Sequence, residues 1–145
     1  MTRIAIASDH AGFQLKEALR AYLSKGGQEV EDFGTDSETP VDYPDFVRPA
    51  AESVAAGRNA LGIVIGGSGN GEAMAANKVR GIRCAVVWSE ESARLAKEHN
   101  DANVIALGAR LLTQPQALAI VDAWLGARFE GGRHLRRIEK LEREC

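Results

Sequence analysis

The sequence predicts an α/β fold in which helices cover both faces of a five-stranded parallel sheet. Five short apolar runs alternate with segments whose apolar residues recur at helical spacing. Such runs, bounded by loops and helices, are typical of parallel strands that are buried on both faces. A chain of 145 residues can bury a core of this kind, so a single domain is expected over residues 1–145.

The first half of the chain contains three of the expected strands. They are expected at residues 4–7, 28–33 and 61–65. The helix after the first strand has an apolar face that includes Tyr22, and it closes at two glycines. A second helix is expected from Asp42 to about Gly57, because proline at position 44 is favoured in a first helical turn.

The second half contains the other two strands, at residues 83–88 and 103–107. Ser89 is expected to cap a helix that reaches His99, and a further helix is expected at residues 114–125. An extra, highly charged helix follows Gly131-Gly132 and runs to the C-terminus. Its three apolar residues form a narrow stripe that could pack on its own domain or on a partner subunit. They are Leu135, Ile138 and Leu141.

The composition limits the environment and the partners of the protein. A net charge of −2 argues against a general nucleic-acid or membrane surface. The first apolar run is too short for a signal peptide, and no stretch is long enough to span a bilayer. The two cysteines, Cys84 and Cys145, do not form a disulfide framework, which fits a reducing compartment. A cytoplasmic protein is therefore expected.

A glycine-rich loop followed by a carboxylate, over residues 66–72, comes directly after the third strand. A P-loop would need lysine and serine or threonine where the chain has Glu72 and Ala73, and the spacing does not match a dinucleotide fingerprint. The N–H groups at the start of the next helix can instead hold an anion or stabilise developing negative charge. A plain strand-to-helix turn with a favourable first-turn acid is the alternative.

Other polar groups are expected near the ends of strands and helices. Asp9 and His10 follow the first strand, His99 precedes the fifth, and Arg110 follows the fifth. Each alone has an ordinary structural explanation as a cap or a solvated side chain. Together, acid–base groups, backbone amides and phosphate-binding arginines suit proton transfer next to a carbonyl on a phosphorylated substrate. No group of residues has the sequence spacing of metal ligands, so no metal is expected.

The motifs of the chain, taken together, resemble those of the ribose-5-phosphate isomerase type B family, which includes galactose-6-phosphate and allose-6-phosphate isomerases. The resemblance covers essentially the whole chain, in order. It implies a Rossmann-like αβα sandwich, no cofactor, and a homodimer with active sites between subunits, paired into tetramers in some members. The motifs are Ser8-Asp9-His10-Ala11-Gly12, Asp42-Tyr43-Pro44, Gly67-Ser68-Gly69-Asn70-Gly71, Ala75-Ala76-Asn77-Lys78, His99-Asn100 and Gly131-Gly132-Arg133-His134.

The resemblance also implies an activity and a set of site residues. The activity is the interconversion of ribose 5-phosphate and ribulose 5-phosphate through an enediolate, a step of the pentose phosphate pathway. His99, together with Asp9, is expected to open the sugar ring. The loop is expected to form the anion hole. The positions that match substrate-binding residues are Asp9, His10, Tyr43, Gly67, Ser68, Gly69, Asn70, Gly71, Asn100, Arg110, Arg133, His134 and Arg137.

One departure from the family pattern changes the expected base. Many members have a catalytic cysteine at the position of Gly66, and this chain has no thiol there. A second, actinobacterial-like branch has a glutamate at the position of Glu72 as the base, and this chain resembles that branch. Cys84 does not match the missing cysteine. The alternatives left open are isomerisation of allose 6-phosphate, galactose 6-phosphate or erythrulose 4-phosphate, and a non-catalytic sugar-phosphate sensor.

Overall fold

The computed structural model describes residues 1–143, and its single parallel sheet confirms the predicted fold class. The strands lie in the order β2-β1-β3-β5-β4, and every pair is parallel. Cys145 lies outside the described residues, as does the end predicted for the last helix. The strands are β1 (Arg3–Ser8), β2 (Glu29–Asp32), β3 (Leu61–Gly66), β4 (Cys84–Val86) and β5 (Val104–Gly108).

Helices cover both faces of this sheet. They are α1 (Phe13–Lys25), α2 (Pro44–Ala55), α3 (Asn70–Asn77), α4 (Glu90–Asn100), α5 (Gln114–Gly126) and α6 (Arg133–Leu141). One apolar cluster joins α1, α4 and α5 to one face, and a second joins α2 and α3 to the other. Within the described residues, no helix is long and apolar enough to cross a membrane.

Side-chain size differs between the two faces of the sheet. In β1, Ile4 and Ile6 lie in the cluster with α1, α4 and α5, whereas Ala5 and Ala7 lie in the cluster with α2 and α3. Because successive strand residues point to opposite faces, this alternation gives α2 and α3 a surface of small residues. All four side chains are fully buried, as expected for a strand in the interior of a sheet.

The strand order brings the loops after β1 and β3 together. β1 lies between β2 and β3, so the chain leaves β1 toward one side of the sheet and later returns on the other. Such a switch point opens a crevice at the carboxyl ends of the strands, where ligands bind in this class of fold. The N–H of Asp9 donates to the carbonyl of Ile65 at 3.2 Å, which joins the ends of the two strands.

Two local expectations need correction, and the apolar stripe of the last helix is only partly covered within one chain. The fourth strand is shorter than the predicted 83–88, because this edge strand pairs with β5 only over residues 84–86. Tyr22 is 39% exposed rather than packed in the core, and its hydroxyl donates to Asp122 at 2.6 Å. In α6 only Ile138 of the apolar stripe is buried, whereas Leu135 and Leu141 are exposed.

Candidate active site

The glycine loop is held between the ends of β3 and β5. Gly69, which precedes α3, has φ +85°, a left-handed conformation that a residue with a side chain rarely adopts. The N–H groups of Ala109 and Arg110 donate to the carbonyls of Gly66 and Gly67 at 2.8 and 3.0 Å. These bonds fix the backbone of the loop. Because the loop leads directly into α3, the positive N-terminal end of that helix lies beside the loop.

Glu72 lies in the first turn of α3 and folds back over the end of β3. It is 4% exposed, and a Cβ atom built at position 66 would overlap its carboxylate. The carboxylate of Glu72 therefore occupies the space that a side chain at position 66 would need. The side chain of Glu72 can therefore take this position only if residue 66 is a glycine.

Burial raises the pKa of Glu72 above its ordinary value of 4.5, and the nearby charge of Asp9 adds a smaller contribution. The backbone N–H of Glu72 acts in the opposite direction, because it stabilises the ionised carboxylate. The sequence left open whether burial or the helix N-terminus would dominate. In the structure burial dominates, which makes this carboxylate a stronger base than an exposed glutamate.

Residues after β1 and before α2 line the other side of the crevice. Oδ1 of Asp9 accepts a hydrogen bond from the N–H of Gly12 at 3.0 Å. Nδ1 of His10 accepts from the N–H of Val41 at 3.1 Å, so in the neutral ring Nε2 carries the hydrogen. The ring of Tyr43 packs directly over Gly71, where a Cβ atom would collide with it.

Ser68, Asn70 and Arg110 complete this part of the site. Oγ of Ser68 accepts from the N–H of Asn70 at 3.2 Å, so the hydroxyl contacts the first residue of α3. The guanidinium of Arg110 lies against Gly67, close enough that a Cβ there would be 3.0 Å from its Nη1. We call the residues assembled here the carboxyl-edge group. They are Asp9, His10, Tyr43, Gly67, Ser68, Gly69, Asn70, Gly71, Glu72 and Arg110.

The remaining predicted residues form a second set, which we call the α4–α6 group: His99, Asn100, Arg133, His134 and Arg137. The rings of His99 and His134 stack with centroids 4.4 Å apart and planes inclined by 17°. A groove of about 390 Å³ runs along this contact and is lined in part by Asn100 and Arg137. Arg133 and Arg137 are exposed, whereas His134 is buried beneath His99.

The fold keeps the two groups apart within one chain. α4 leaves the carboxyl end of β4 and returns to the amino end of the parallel strand β5. Its 11 residues span about 16 Å, at a rise of about 1.5 Å per residue. His99 and Asn100 at its end therefore lie near the amino edge of the sheet, opposite the edge that carries Glu72.

Two further residues support the α4–α6 group, and the motif analysis did not find them. Oε1 of Glu130 lies 3.8 Å from Nε2 of His99 and 3.4 Å from Nε2 of His134. Arg83 donates to the carbonyls of Asn100 and Asp101, each at 2.8 Å, and so binds the C-terminal end of α4. Neither residue stands in a recognisable motif, and only the folded chain brings them to this place.

The family described as Ribose/Galactose Isomerase matches residues 4–141. The chain belongs to this family. A family member from Mycolicibacterium paratuberculosis, named ribose-5-phosphate isomerase B, is 49% identical over 96% of this chain and 89% of that protein. A family member of the same name from Escherichia coli is 47% identical over 97% of this chain and 95% of that protein.

Solved structures of this isomerase family have the same fold. A ribose-5-phosphate isomerase B structure from Clostridium thermocellum gives a TM-score of 0.96 at 51% identity, with 97% of this chain and 95% of that chain covered. The enzyme from Mycoplasma genitalium, solved with bound ribulose-5-phosphate, gives 0.93 at 44% identity, with 97% and 93% covered. These likenesses extend over nearly the whole length of each chain.

Proposed function

We propose that this protein is an aldose–ketose isomerase that interconverts D-ribose 5-phosphate and D-ribulose 5-phosphate. The observation that carries the proposal is Glu72, a buried carboxylate of raised pKa beside a glycine loop at the start of a helix. A base next to an anion hole is what proton transfer alpha to a carbonyl requires. The names of the relatives, and the ribulose-5-phosphate bound to the Mycoplasma genitalium enzyme, support the choice of substrate.

The reaction begins with opening of the sugar ring. His99, assisted by Asp9, gives a proton to the ring oxygen and removes one from the hydroxyl on C1, so that a free aldehyde forms. Glu72 then removes the proton on C2, and the electron pair moves to the carbonyl oxygen to give an enediolate. Return of that proton to C1 gives the ketose, and the hydroxyl proton on C2 moves to the oxygen on C1.

Developing negative charge on the enediolate is stabilised by N–H groups of the loop over residues 67–71. A well-placed donor of this kind is typically worth about 3–4 kcal/mol in the transition state. The phosphate is held by Arg110, Arg133 and Arg137, because a guanidinium can bind phosphate oxygens in pairs. His10, Tyr43 and Asn100 contact the sugar hydroxyls. His134 is assigned with them, although its burial limits direct contact.

We further propose that a second copy of the chain completes each active site. Glu72 and His99 lie near opposite edges of the sheet, so a homodimer must bring the carboxyl-edge group of one subunit to the α4–α6 group of the other. Large apolar side chains remain exposed around α3 and the ends of β4 and β5, as expected at an interface. They are Met74 at 66%, Trp88 at 68% and Leu111 at 70% exposed.

The test is a turnover assay with the phosphates of ribose, allose, galactose and erythrulose. We expect kcat/KM to be highest with ribose 5-phosphate, with the ketose detected as the product. A preference for allose 6-phosphate or galactose 6-phosphate would keep the chemistry and change the substrate. No turnover of any, with retained binding, would favour a sugar-phosphate sensor, for which the carboxylate beside the loop has no purpose.

A further inference from the structure

One arginine joins the two helices that carry the α4–α6 group. The guanidinium of Arg83 donates from Nε to the carbonyl of Asn100 and from Nη2 to that of Asp101, each at 2.8 Å. Its Nη1 donates to Oε1 of Glu142, which directly follows α6, also at 2.8 Å. The side chain of Arg83 is 18% exposed, so these bonds lie largely away from solvent. A single planar group therefore holds the ends of both helices.

The C-terminal end of α4 requires partners from elsewhere in the chain. The last carbonyls of a helix have no N–H partner within the helix, and they form the negative end of its dipole. In α4 the carbonyl of Asn100 is bound by Arg83, and that of Glu98 accepts from the N–H of Glu130 at 3.0 Å. Asp101, which follows, has φ +45°, a left-handed conformation. The direction of the chain at the end of α4 thus depends on contacts made from outside that helix.

The helix α6 depends on similar contacts at its two ends. Within the described residues it buries two of its nine side chains, those of His134 and Ile138. The chain just before α6 is bound to α4 through Glu130, and the end of α6 is bound by the ion pair between Arg83 and Glu142. The ion pair therefore fixes the part of α6 that lies beyond Ile138.

The backbone of Arg83 is itself attached to the sheet. Its N–H donates to Oδ1 of Asn103 at 2.9 Å, and Nδ2 of Asn103 donates to the carbonyl of Gly81 at 2.9 Å. The carbonyl of Arg83 accepts from the N–H of Val104, the first residue of β5, at 3.3 Å. The guanidinium thus relates the positions of the two helix ends to the position of the sheet.

We propose that Arg83 is a positioning residue of the active site, which fixes His99 and Asn100 relative to the arginines of α6. The inference rests on the proposed function, in which His99 opens the sugar ring and Arg133 and Arg137 hold the phosphate. Arg83 acts through the two helix ends and not on the substrate. Placement of this kind matters because a displacement of about 1 Å, caused far from the reacting atoms, can lower the rate about 10²-fold.

The contacts of Arg83 require a guanidinium. This group presents its donors in one rigid plane, which serves two successive carbonyls and a carboxylate at the same time. An ammonium group is a single point of charge on a flexible chain, so it does not keep the same three partners in place. Arg83→Lys therefore retains the charge and removes the geometry.

Steady-state kinetics distinguishes the two contacts. Glu142→Ala releases α6 alone, so KM for ribose 5-phosphate should rise at least about threefold while kcat stays within about twofold, the pattern of lost uniform binding. Arg83→Lys also releases the end of α4, so kcat should in addition fall by about 10–100-fold. The matched controls are Arg94→Lys on the exposed side of α4 and Glu139→Ala on that of α6, and both should behave as the parent does.

Amide hydrogen exchange gives a measurement that does not depend on activity. Arg83→Lys should speed exchange at residues 98–102, at the end of α4, and in α6, because both helix ends lose their contacts. Glu142→Ala should speed exchange in α6 alone. The strands β1, β3 and β5 should keep the exchange rates of the parent in both variants.

Each outcome supports or overturns the proposal. Kinetics of Arg83→Lys that match those of Arg94→Lys would overturn it. Faster exchange throughout the sheet in Arg83→Lys would also do so, because Arg83 would then support stability in general. A loss of kcat in Glu142→Ala as large as that in Arg83→Lys would contradict the separate roles of the two contacts. A parent that does not isomerise ribose 5-phosphate would refute the proposed function, and the exchange rates would still decide whether Arg83 holds both helix ends.

Discussion

Glu72 unites the physical features that the candidate chemistry needs. It is buried, it lies in the first turn of α3, and its pKa is raised chiefly by burial. A carboxylate at this place would normally be favoured in its ionised form by the helix dipole. Because desolvation outweighs the hydrogen bond from the backbone N–H of Glu72, the pKa is raised and the group retains basicity in the ground state. It also stays close to the loop that would receive the negative charge.

Replacement of this carboxylate tests its role as the base. Glu72→Gln should lower kcat with ribose 5-phosphate by about 10²–10⁴-fold, the usual contribution of general acid–base catalysis. Binding of ribulose 5-phosphate, measured by calorimetry, should change little, because the amide keeps the shape of the side chain. Glu52→Gln on the exposed face of α2 is the matched control, and near-normal turnover in Glu72→Gln would remove Glu72 from the mechanism.

The raised pKa of Glu72 also predicts how stability depends on pH. The native state binds this proton more tightly than the unfolded chain does. The contribution of Glu72 to stability is therefore complete below the unfolded pKa of about 4.5 and is lost as pH rises through the native pKa. The difference in unfolding free energy between Glu72→Gln and the parent should thus grow in favour of the variant from pH 4 to neutrality. Urea unfolding at several pH values measures it, and a constant difference would contradict the assigned environment.

Gly66 is predicted to be essential because of where the carboxylate of Glu72 lies. A methyl group in Gly66→Ala would overlap that carboxylate and displace it, since the end of the side chain can move more easily than the backbone. We expect a loss of kcat of at least about tenfold, or about 1.4 kcal/mol of transition-state stabilisation. The folded state should be largely retained. In Gly126→Ala, where a Cβ atom meets nothing within 4 Å, activity should be unchanged.

At the scale of elements, the edge strand β4 depends on a side chain from α3. Nδ2 of Asn77 donates to the carbonyl of Cys84 at 2.9 Å, and the N–H of Cys84 donates to Oδ1 of Asn77 at 2.8 Å. The amide therefore pairs with the strand as a neighbouring backbone would. This covers the first residue of an edge that would otherwise expose its polar groups.

Asn77→Ala should remove both of these hydrogen bonds. We expect a loss of about 1–2 kcal/mol in the free energy of unfolding, because two net bonds of about 0.5–1.5 kcal/mol disappear at a partly exposed place. Chemical denaturation measures the loss. Lys78→Ala, one residue further on, is the control and should change stability little. An equal effect of the two substitutions would mean that the amide does not support the strand.

At the scale of the whole molecule, the separation of Glu72 from His99 makes oligomerisation part of the proposed mechanism. The two groups lie near opposite edges of one sheet because α4 carries the chain back across it. The helix α4 alone is about 16 Å long, and rotation of side chains does not span such a length. In a symmetric dimer with shared active sites, each of the two equivalent sites would combine Glu72 of one subunit with His99 of the other.

Subunit complementation tests this arrangement. Glu72→Gln and His99→Asn homodimers should each be nearly inactive. Refolding them together in equal amounts should restore about a quarter of parental activity, because half of the dimers are mixed and each mixed dimer has one intact site. A mixture of Glu72→Gln with Glu72→Gln/His99→Asn is the control and should stay inactive. Absence of recovery, with mixed dimers shown by two affinity tags, would place both residues in one chain's site.

Much of the fold could be predicted because its signals are local. Apolar runs such as that from Ile4 to Ala7 had to be buried on both faces, and the parallel sheet follows from their alternation with helices. Ser89 forms the predicted N-cap with Ser92, since capping depends on neighbouring residues alone. Tyr22 was placed wrongly because helical spacing does not show where a core ends. A lysine at position 16, fully buried against Asp32 at 2.8 Å, had no local signal.

The candidate site, like the fold, has features that the sequence predicted and features that it did not. The sequence by itself determined the kinds of groups present, their motifs and the absence of a thiol at Gly66, because these are properties of residues and their neighbours. Only the tertiary structure decided that the carboxylate of Glu72 fills the space above Gly66 and that burial outweighs the backbone hydrogen bond in its pKa. It also decided that His99, Glu130 and His134 meet, and that they do so away from Glu72. Distances across a sheet depend on strand order and helix direction. Both are determined by contacts between residues that are far apart in the chain.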